Sequence, residues 1–518
     1  MTVLKKAGLL LLVTAGVATA YNFNDWLSLN GTNSAVYMRQ KEDGQRWTWD
    51  ILQTELWAWR FAVGAEAEFN HPRRPVVEPG DGVYPEGDEL IQRYGRYRDD
   101  IFDVRVGDFD KTLGKGLILR SYADRDYEVY HRLDGGVADV HVSFADRDWG
   151  GVTALWGKNN RDETKYDEGD TVAGGQITFR PFDFVYVTGA GVQADIEYAA
   201  YPSNETVENK LYSGGLGGGW RYFDFYGEYA TREGYEPNLH EDINGSGVYG
   251  VVTGYLPRSS VSVEYKRYED LSYGYSNPPP CSVRESAIVG PDSLGGGEWG
   301  YYFQATGNPV DAVRLRGGYS YADDVVGDVV DKNQEIEEYF GEVRYDLPWP
   351  VVLEAGYEYA EDPHYEFGIE DPTDGEVRRI PSLGVSTTPW DDHSFAAEFE
   401  RESLTEYQLS ASYDYTYNRG SLGYTYSSWL GLTVSYEETD QTALELIEKR
   451  EPKLPDLVRY KNEWLWGEVR LSWYNPTFQN HTLTIGYGSQ RGGLVCSSGV
   501  CQQQAPFTGL KVALESSF

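Results

Sequence analysis

Across 518 residues the chain carries 45 Lys and Arg against 82 Asp and Glu, a formal net charge of −37. So acidic a chain argues against nucleic acid as a partner, which wants basic surface. It favours divalent cations or a cation-preferring aqueous path, and plain solubility of long loops accounts for the acid equally well. Beyond the amino terminus no apolar run reaches membrane-helix length and mean hydropathy is −0.54, which excludes a helical membrane protein.

Taken from the start, Met1–Ala20 reads as a secretory signal. Lys5 and Lys6 form the basic start, residues 7–17 the apolar run, and Ala18-Thr19-Ala20 a small-residue cleavage site before Tyr21. Loss of the two lysines moves the charge from −37 to −39. The expected organisation is therefore a signal peptide over 1–20 and one body over 21–518, with no large amino-terminal plug domain before the first strand.

From residue 33 onward, apolar and polar residues alternate between turns, the period of a strand with two unlike faces. Phe61, Val63, Ala65, Ala67 and Phe69 oppose Glu66 and Glu68. Further along, Val261, Val263 and Tyr265 oppose Glu264 and Lys266, and Val313 and Leu315 oppose Arg314 and Arg316. Val343 and Tyr345 oppose Glu342 and Arg344, Leu353 and Tyr357 oppose Glu354 and Glu358, and Val469 and Leu471 oppose Glu468 and Arg470. Burying such charged faces between two sheets would cost several kcal/mol for each unpaired ion. A wet lumen avoids most of that cost. Aromatics at 15%, with 42 Tyr and 15 Trp, suit girdles at both membrane interfaces.

One early stretch is unlike the rest. It runs Val106-Gly-Asp108-Phe-Asp110-Lys111-Thr-Leu-Gly114-Lys115-Gly116-Leu-Ile-Leu-Arg120-Ser-Tyr-Ala-Asp124-Arg125-Asp126 and continues through Asp134-Gly-Gly136-Val. Glycines recur where a chain turns tightly, and both charge signs are dense. Asp108, Asp110, Lys111, Lys115, Arg120, Asp124, Arg125 and Asp126 are candidates for a constriction with a transverse field, or for ion pairs that brace the wall. The stretch resembles an uncharacterised family of large bacterial outer-membrane, porin-like β-barrels of unknown function. Its members carry a similar Gly-Asp-Phe, then Gly-x-Gly-Leu-x-Leu-Arg, then Asp-Gly-Val run; here an extra Gly interrupts the last element. The resemblance implies an outer-membrane barrel and no particular activity.

Connections alternate in length. Short ones include Arg180-Pro-Phe-Asp183, Pro257-Arg-Ser259, Asn308-Pro-Val-Asp311 and Pro389-Trp-Asp-Asp-His393; long polar ones lie near 70–92, 158–170, 196–210, 233–245, 271–297 and 439–460. Short periplasmic turns and long outer loops have this pattern. Threading strands up and down gives an all-β fold: a single antiparallel transmembrane barrel of about 24 strands, or 22 if 108–136 folds into the lumen. Residues 417–438 read as one bulged strand or as two short ones. The last strand alternates Leu510, Val512 and Leu514 against Lys511, Ala513 and Glu515 and ends on Phe518, as a barrel-closing strand does.

Chemistry is sparse. Cys496 and Cys501 could close a small disulfide loop in an oxidising compartment, which leaves Cys281 over. The seven histidines (His71, His131, His141, His240, His364, His393 and His481) show no spacing for a metal or a catalytic pair, so no enzyme is expected. No cofactor is expected either, although acidic loops at Asp162-Glu163, Asp167-Glu168 and Asp170, and at Glu361-Asp362 with Glu370-Asp371, could bind Ca²⁺ or Mg²⁺. The leading expectation is a porin-like channel in the bacterial outer membrane for small solutes. Glu66, Glu68, Glu264, Glu342, Glu354, Glu358 and Glu398 would bias it towards cations. The alternatives are a sheath holding another protein, such as a secretion or electron-transfer partner, and an adhesin or lipopolysaccharide-binding surface protein. Expected partners are outer-membrane lipid, lipopolysaccharide and the barrel-assembly machinery.

Overall fold

A computed structural model describes residues 22–24, 26–41, 44–70, 87–124, 129–145, 147–159, 169–198, 205–236, 241–271, 273–276, 279, 297–324, 335–364, 374–408, 411–440, 463–475, 479–491, 493–497, 500–504 and 507–517; at several strand ends, Asp124, Cys496 and Cys501 included, it describes the backbone alone. Twenty-four antiparallel strands form one closed barrel. Each pairs with its chain neighbour, and the first, Leu27–Gln40, pairs with the last, Phe507–Ser517. The register across that seam runs from Thr32 opposite Ser517 to Gln40 opposite Gly509. Closure leaves no unpaired strand edge, which a lipid environment would penalise heavily.

The alternation of the sequence becomes the two faces of the wall. Val63, Ile177 and Leu422 stand at 60–65% exposure on the outer face. Short turns gather at one rim, with Trp59, Trp220, Tyr222, Trp349 and Trp390 exposed beside them as an aromatic girdle. Three of these turns hold a non-glycine residue in the left-handed region: Trp59 (φ 57°), Ala145 (φ 53°) and Ser427 (φ 51°). Towards the other rim a tyrosine belt crosses adjacent strands on the outer face. Tyr301 lies 5.9 Å from Tyr319 and 5.6 Å from Tyr321, and Tyr339 lies 4.7 Å from Tyr359.

One open alternative is settled and two expectations change. The stretch 417–438 is two strands, Ala411–Tyr426 and Leu430–Thr439, with Ser427 in the turn between them. The long loops expected at 196–210 and 233–245 shrink to 199–204 and 237–240, because Val185–Tyr198, Glu205–Trp220, Phe223–Glu236 and Glu241–Leu256 continue past them as paired strands. Finally, the link between an inward-folded 108–136 and a count of 22 fails. The segment does fold inward, yet the wall keeps 24 strands because Phe102–Phe109 pairs directly with Leu133–Phe144 and the chain between them leaves the wall.

That inward chain is a small hairpin, Lys111–Leu113 paired with Leu119–Ser121. Leu113, Leu117, Ile118 and Leu119 are fully buried against Val137, Leu155, Val172, Val192, Leu211 and Tyr249 of the inner wall. Each such side chain contributes about 1.5–3 kcal/mol by leaving water. Across residues 133–256 the inner face is thus partly apolar, and this hairpin is what covers it; a second, smaller apolar cluster of Val36, Met38, Trp47, Trp466 and Phe507 lies at the seam.

Candidate pore and lumen strap

The hairpin and its described flanks, residues 110–124 and 129–132, lie as a strap along the inside of the barrel. Its root is held by two ion pairs. Lys111 donates to both carboxylate oxygens of Asp139, at 2.7 and 2.8 Å, and Arg132 Nε donates to Asp110 Oδ1 at 2.9 Å. Its tip turns on Gly114 (φ 58°) and Gly116 (φ 88°), a backbone open to glycine and costly for other residues. There Gly114 N donates to Gln176 Oε1 at 2.8 Å and Lys115 N to Glu228 Oε2 at 3.0 Å. Glu228 is buried, its second oxygen accepts nothing, and Tyr226 donates to the first at 2.6 Å.

A second segment from the connection after Ser259–Glu269 locks the strap in place. Tyr273 and Tyr275 are buried with Leu271 in the same apolar cluster. Tyr273 donates to the carbonyl of Ile118, Arg120 N donates to the carbonyl of Tyr275 at 2.7 Å, and Tyr275 donates to Asp170 at 2.7 Å. His131 packs on the Tyr275 ring at 5.1 Å. Burial holds the imidazole below its ordinary value, with Asp170 partly opposing, and burial likewise pushes both phenols up.

Part of the remaining inner wall stands open. Arg316 pairs with Glu342 at 3.4 Å with side chains 44% and 50% exposed, and Arg344 pairs with Glu354 at 2.9 Å at 42% and 52%. By contrast Glu228, Arg232 and Lys266, on the wall beside the strap, are each 4% exposed. Inward charge is therefore shielded beside the strap, whereas the Arg316–Glu342 and Arg344–Glu354 pairs stand open; Glu338 and Glu402, on the same stretch of wall, are buried again.

The expected pore-lining residues divide accordingly. Arg316, Glu342, Arg344 and Glu354 form the open ladder, Arg314 and Glu358 share its inner face, Glu398 accepts from Ser421 at 3.5 Å, and Arg470 is exposed beside Gly431. Glu264 pairs with Lys266 at 3.3 Å, and Glu468 accepts from Trp466 at 3.4 Å. Glu66 and Glu68 face inward but are buried, with Glu66 accepting from Gln53 at 2.9 Å. Asp108 is no pore-lining group: the kink at Gly107 (φ 104°) turns it onto the strand edge, where it is buried and accepts from Arg93 N at 2.7 Å. Asp110 and Lys111 pair at the strap root, Lys115 lies over the Tyr226 ring at 5.4 Å, and Arg120 lies over Tyr122 at 4.8 Å. Arg125, Asp126, Cys281 and Phe518 lie outside the described residues, as do Asp162, Glu163, Asp167, Glu168, Glu370 and Asp371 of the acidic loops read for Ca²⁺; of the others, Asp170 accepts from Tyr275 and Glu361 from Tyr359. Among the described residues no group of three potential ligands is placed to hold a metal.

Cys496 and Cys501 are direct backbone partners in the hairpin Gly493–Ser497 with Val500–Gln504. His393 meets Tyr424 at 2.9 Å and His481 meets Ser516 at 2.9 Å, while His141 is exposed on its strand. The sequence reading missed the densest inner ion network. Arg419 bonds Glu400 at 2.6 Å and Glu402 at 2.8 Å and sits 3.5 Å from Glu437, which Arg491 also meets at 3.1 Å. The same-parity run Glu398, Glu400, Glu402 was its only local signal.

Among solved structures the chain is similar to the siderophore receptor PirA from Pseudomonas aeruginosa, with 8% identity, TM-score 0.47, and 95% of this chain and 80% of that one covered. It is also similar to the P pilus usher PapC translocation pore, with 10% identity, TM-score 0.47, and 95% and 98% covered. A third is OccK5 (OpdH) of P. aeruginosa, with 11% identity, TM-score 0.36, and 81% and 100% covered. No curated protein matches the sequence. The family model described as a family of unknown function, DUF6029, matches residues 17–282 and 403–518, and the chain belongs to that family.

Proposed function

We propose that the protein is an outer-membrane channel, exported by a cleaved signal over 1–20, that passes small solutes passively and prefers cations. The observation that carries this reading is the contrast in exposure of inward charges. The Arg316–Glu342 and Arg344–Glu354 pairs stand about half exposed in an interior whose other side is packed by the strap. Charges keep that exposure inside a barrel only where water reaches them. The passage then runs along the wall from residue 297 onward, bounded by the strap. A net charge of −37 supports the cation bias, and in the inner ion network Arg419 and Arg491 meet three carboxylates, an excess of acid. On this reading the protein is not an enzyme, and lipid, lipopolysaccharide and the assembly machinery are its partners.

The test is single-channel recording of refolded protein from Tyr21 to Phe518 in a planar bilayer under a KCl gradient. Discrete steps with a cation-selective reversal potential support the reading. Silent bilayers despite confirmed insertion sink it, and a protein that co-purifies in the lumen would favour the sheath instead.

A further inference from the structure

The inner wall at the root of the strap holds a guanidinium that the fold itself does not use. Arg105 lies on Phe102–Phe109 with Arg96 and Val137 as its cross-strand neighbours. Val137 packs in the lumen cluster, and Val106, next in the chain, is 63% exposed on the outer face, so Arg105 faces inward. Its guanidinium sits over the Tyr94 ring at 3.6 Å, and Tyr94 is fixed in turn by donating to Glu55 at 2.7 Å.

Neighbouring cations are already matched. Arg96 Nε donates to Asp103 at 2.7 Å, Lys111 to Asp139 at 2.7 Å and Arg132 to Asp110 at 2.9 Å. Arg105 differs from them. No described carboxylate pairs with it, and its enclosed Nε has no hydrogen-bond partner. Stacking on a ring satisfies one face of a guanidinium and leaves its planar edge free, which matches a carboxylate through two parallel hydrogen bonds.

The surroundings select among anions. Asp110, with a side chain 40% exposed, lies within electrostatic reach of Arg105, and Asp103 is on the same inner face two residues away. Asp110 is bridged by Arg132 yet stays exposed and keeps lone pairs for a further donor, so a solute with both a carboxylate and an ammonium finds a partner at each end, which a dianion does not.

We infer that Arg105, stacked on Tyr94 among Asp103 and Asp110, binds the carboxylate of a small zwitterionic solute such as an amino acid or short peptide. This names a solute class for the proposed channel and rests on that reading for its role, though not for the binding itself.

Calorimetric titration of the detergent-solubilised full-length chain tests it, with glycylglycine, acetate and inorganic phosphate as separate probes. Saturable binding of glycylglycine, tighter than acetate or phosphate and weakened tenfold or more in R105Q, is the expected result. R221Q, which removes another ring-stacked arginine at the short-turn rim, should bind as the parent does. Unchanged heat-modifiable mobility on gels shows that R105Q has folded. Equal affinity in R105Q, no saturable binding, or phosphate as the tightest probe would overturn the inference. Binding in a chain that fails to conduct would sink the channel and leave the site standing, while conductance without binding would do the reverse.

Discussion

Tyr273 donates its hydroxyl proton to the backbone carbonyl of Ile118 at 2.5 Å, across 155 residues of chain and inside the apolar cluster of the strap. Two separate outer connections thus meet inside the barrel and hold each other. Removing the donor strands a buried carbonyl, which costs about 1–3 kcal/mol. Tyr273→Phe should therefore raise hydrogen–deuterium exchange over 111–121 while the melting of the wall stays unchanged. Equal exchange in both proteins would show that the apolar contacts suffice.

Those contacts carry most of the strap's attachment. Leu117→Ala and Leu119→Ala each empty a fully buried site, at an expected cost of about 2–5 kcal/mol. The barrel has its own complete ladder of strand pairs, so the loss should fall on the strap. In bilayer recordings these variants should show larger or noisier steps than the parent, and Leu117→Asp more so. Steps of identical size and noise would mean that the strap does not bound the passage.

Gly114 offers a sharper probe of the tip. A Cβ there would sit 2.1 Å from Glu228 Oε1, on a residue with φ of 58°. Gly114→Ala should undock the tip and expose Lys115 to trypsin, while Glu228→Ala should leave the turn formed but lose its bond to Lys115 N. Protection of Lys115 in Gly114→Ala would show that the wall yields to the methyl group.

Acid should loosen the strap through His131. Burial holds this imidazole below 6.5, so the undocked state takes up a proton more readily than the docked one. Docking stability is thus fully present above about pH 6.5 and declines as pH falls from there through the lower, docked-state value. Asp170 and the Tyr275 ring are the groups that face it from the elements packed against it. Exchange over 111–121, corrected for intrinsic rates, should rise below pH 6.5 in the parent and lose that step in His131→Phe. A step that survives in His131→Phe would place the titration elsewhere.

Selectivity should follow the open ladder. Replacing Glu342, Glu354 and Glu398 by Gln removes three inward carboxylates without removing volume, so the reversal potential in a KCl gradient should move towards zero. The same substitution at Glu228, beside the packed strap, should leave it in place. A reversal potential unmoved by the triple change would remove these carboxylates from the selectivity surface.

Much of this was written locally. The alternation of Leu510, Val512 and Leu514 against Lys511, Ala513 and Glu515 is the register that closes the barrel against Val36 and its neighbours. Charged runs such as Glu354 and Glu358 could only face water, and their strands do so. The run Gly-Leu117-Ile118-Leu119-Arg was harder, because a short apolar stretch reads equally as wall or as filling. Both parities of the strands opposite it carry apolar residues: Leu155 faces in and Trp156 faces out. That doubled hydrophobicity was the available signal that something oily lies inside.

A strand has a period of two, so sequence alone determined which side chains share a face, where the chain turns back and that the sheet must close. It could not decide which residues meet across the lumen. Lys115 and Glu228, Ile118 and Tyr273, and Tyr94 and Arg105 are joined only by the curvature of the closed sheet and the path of the strap. Such contacts depend on the summed geometry of many strands, and no local pattern encodes that sum.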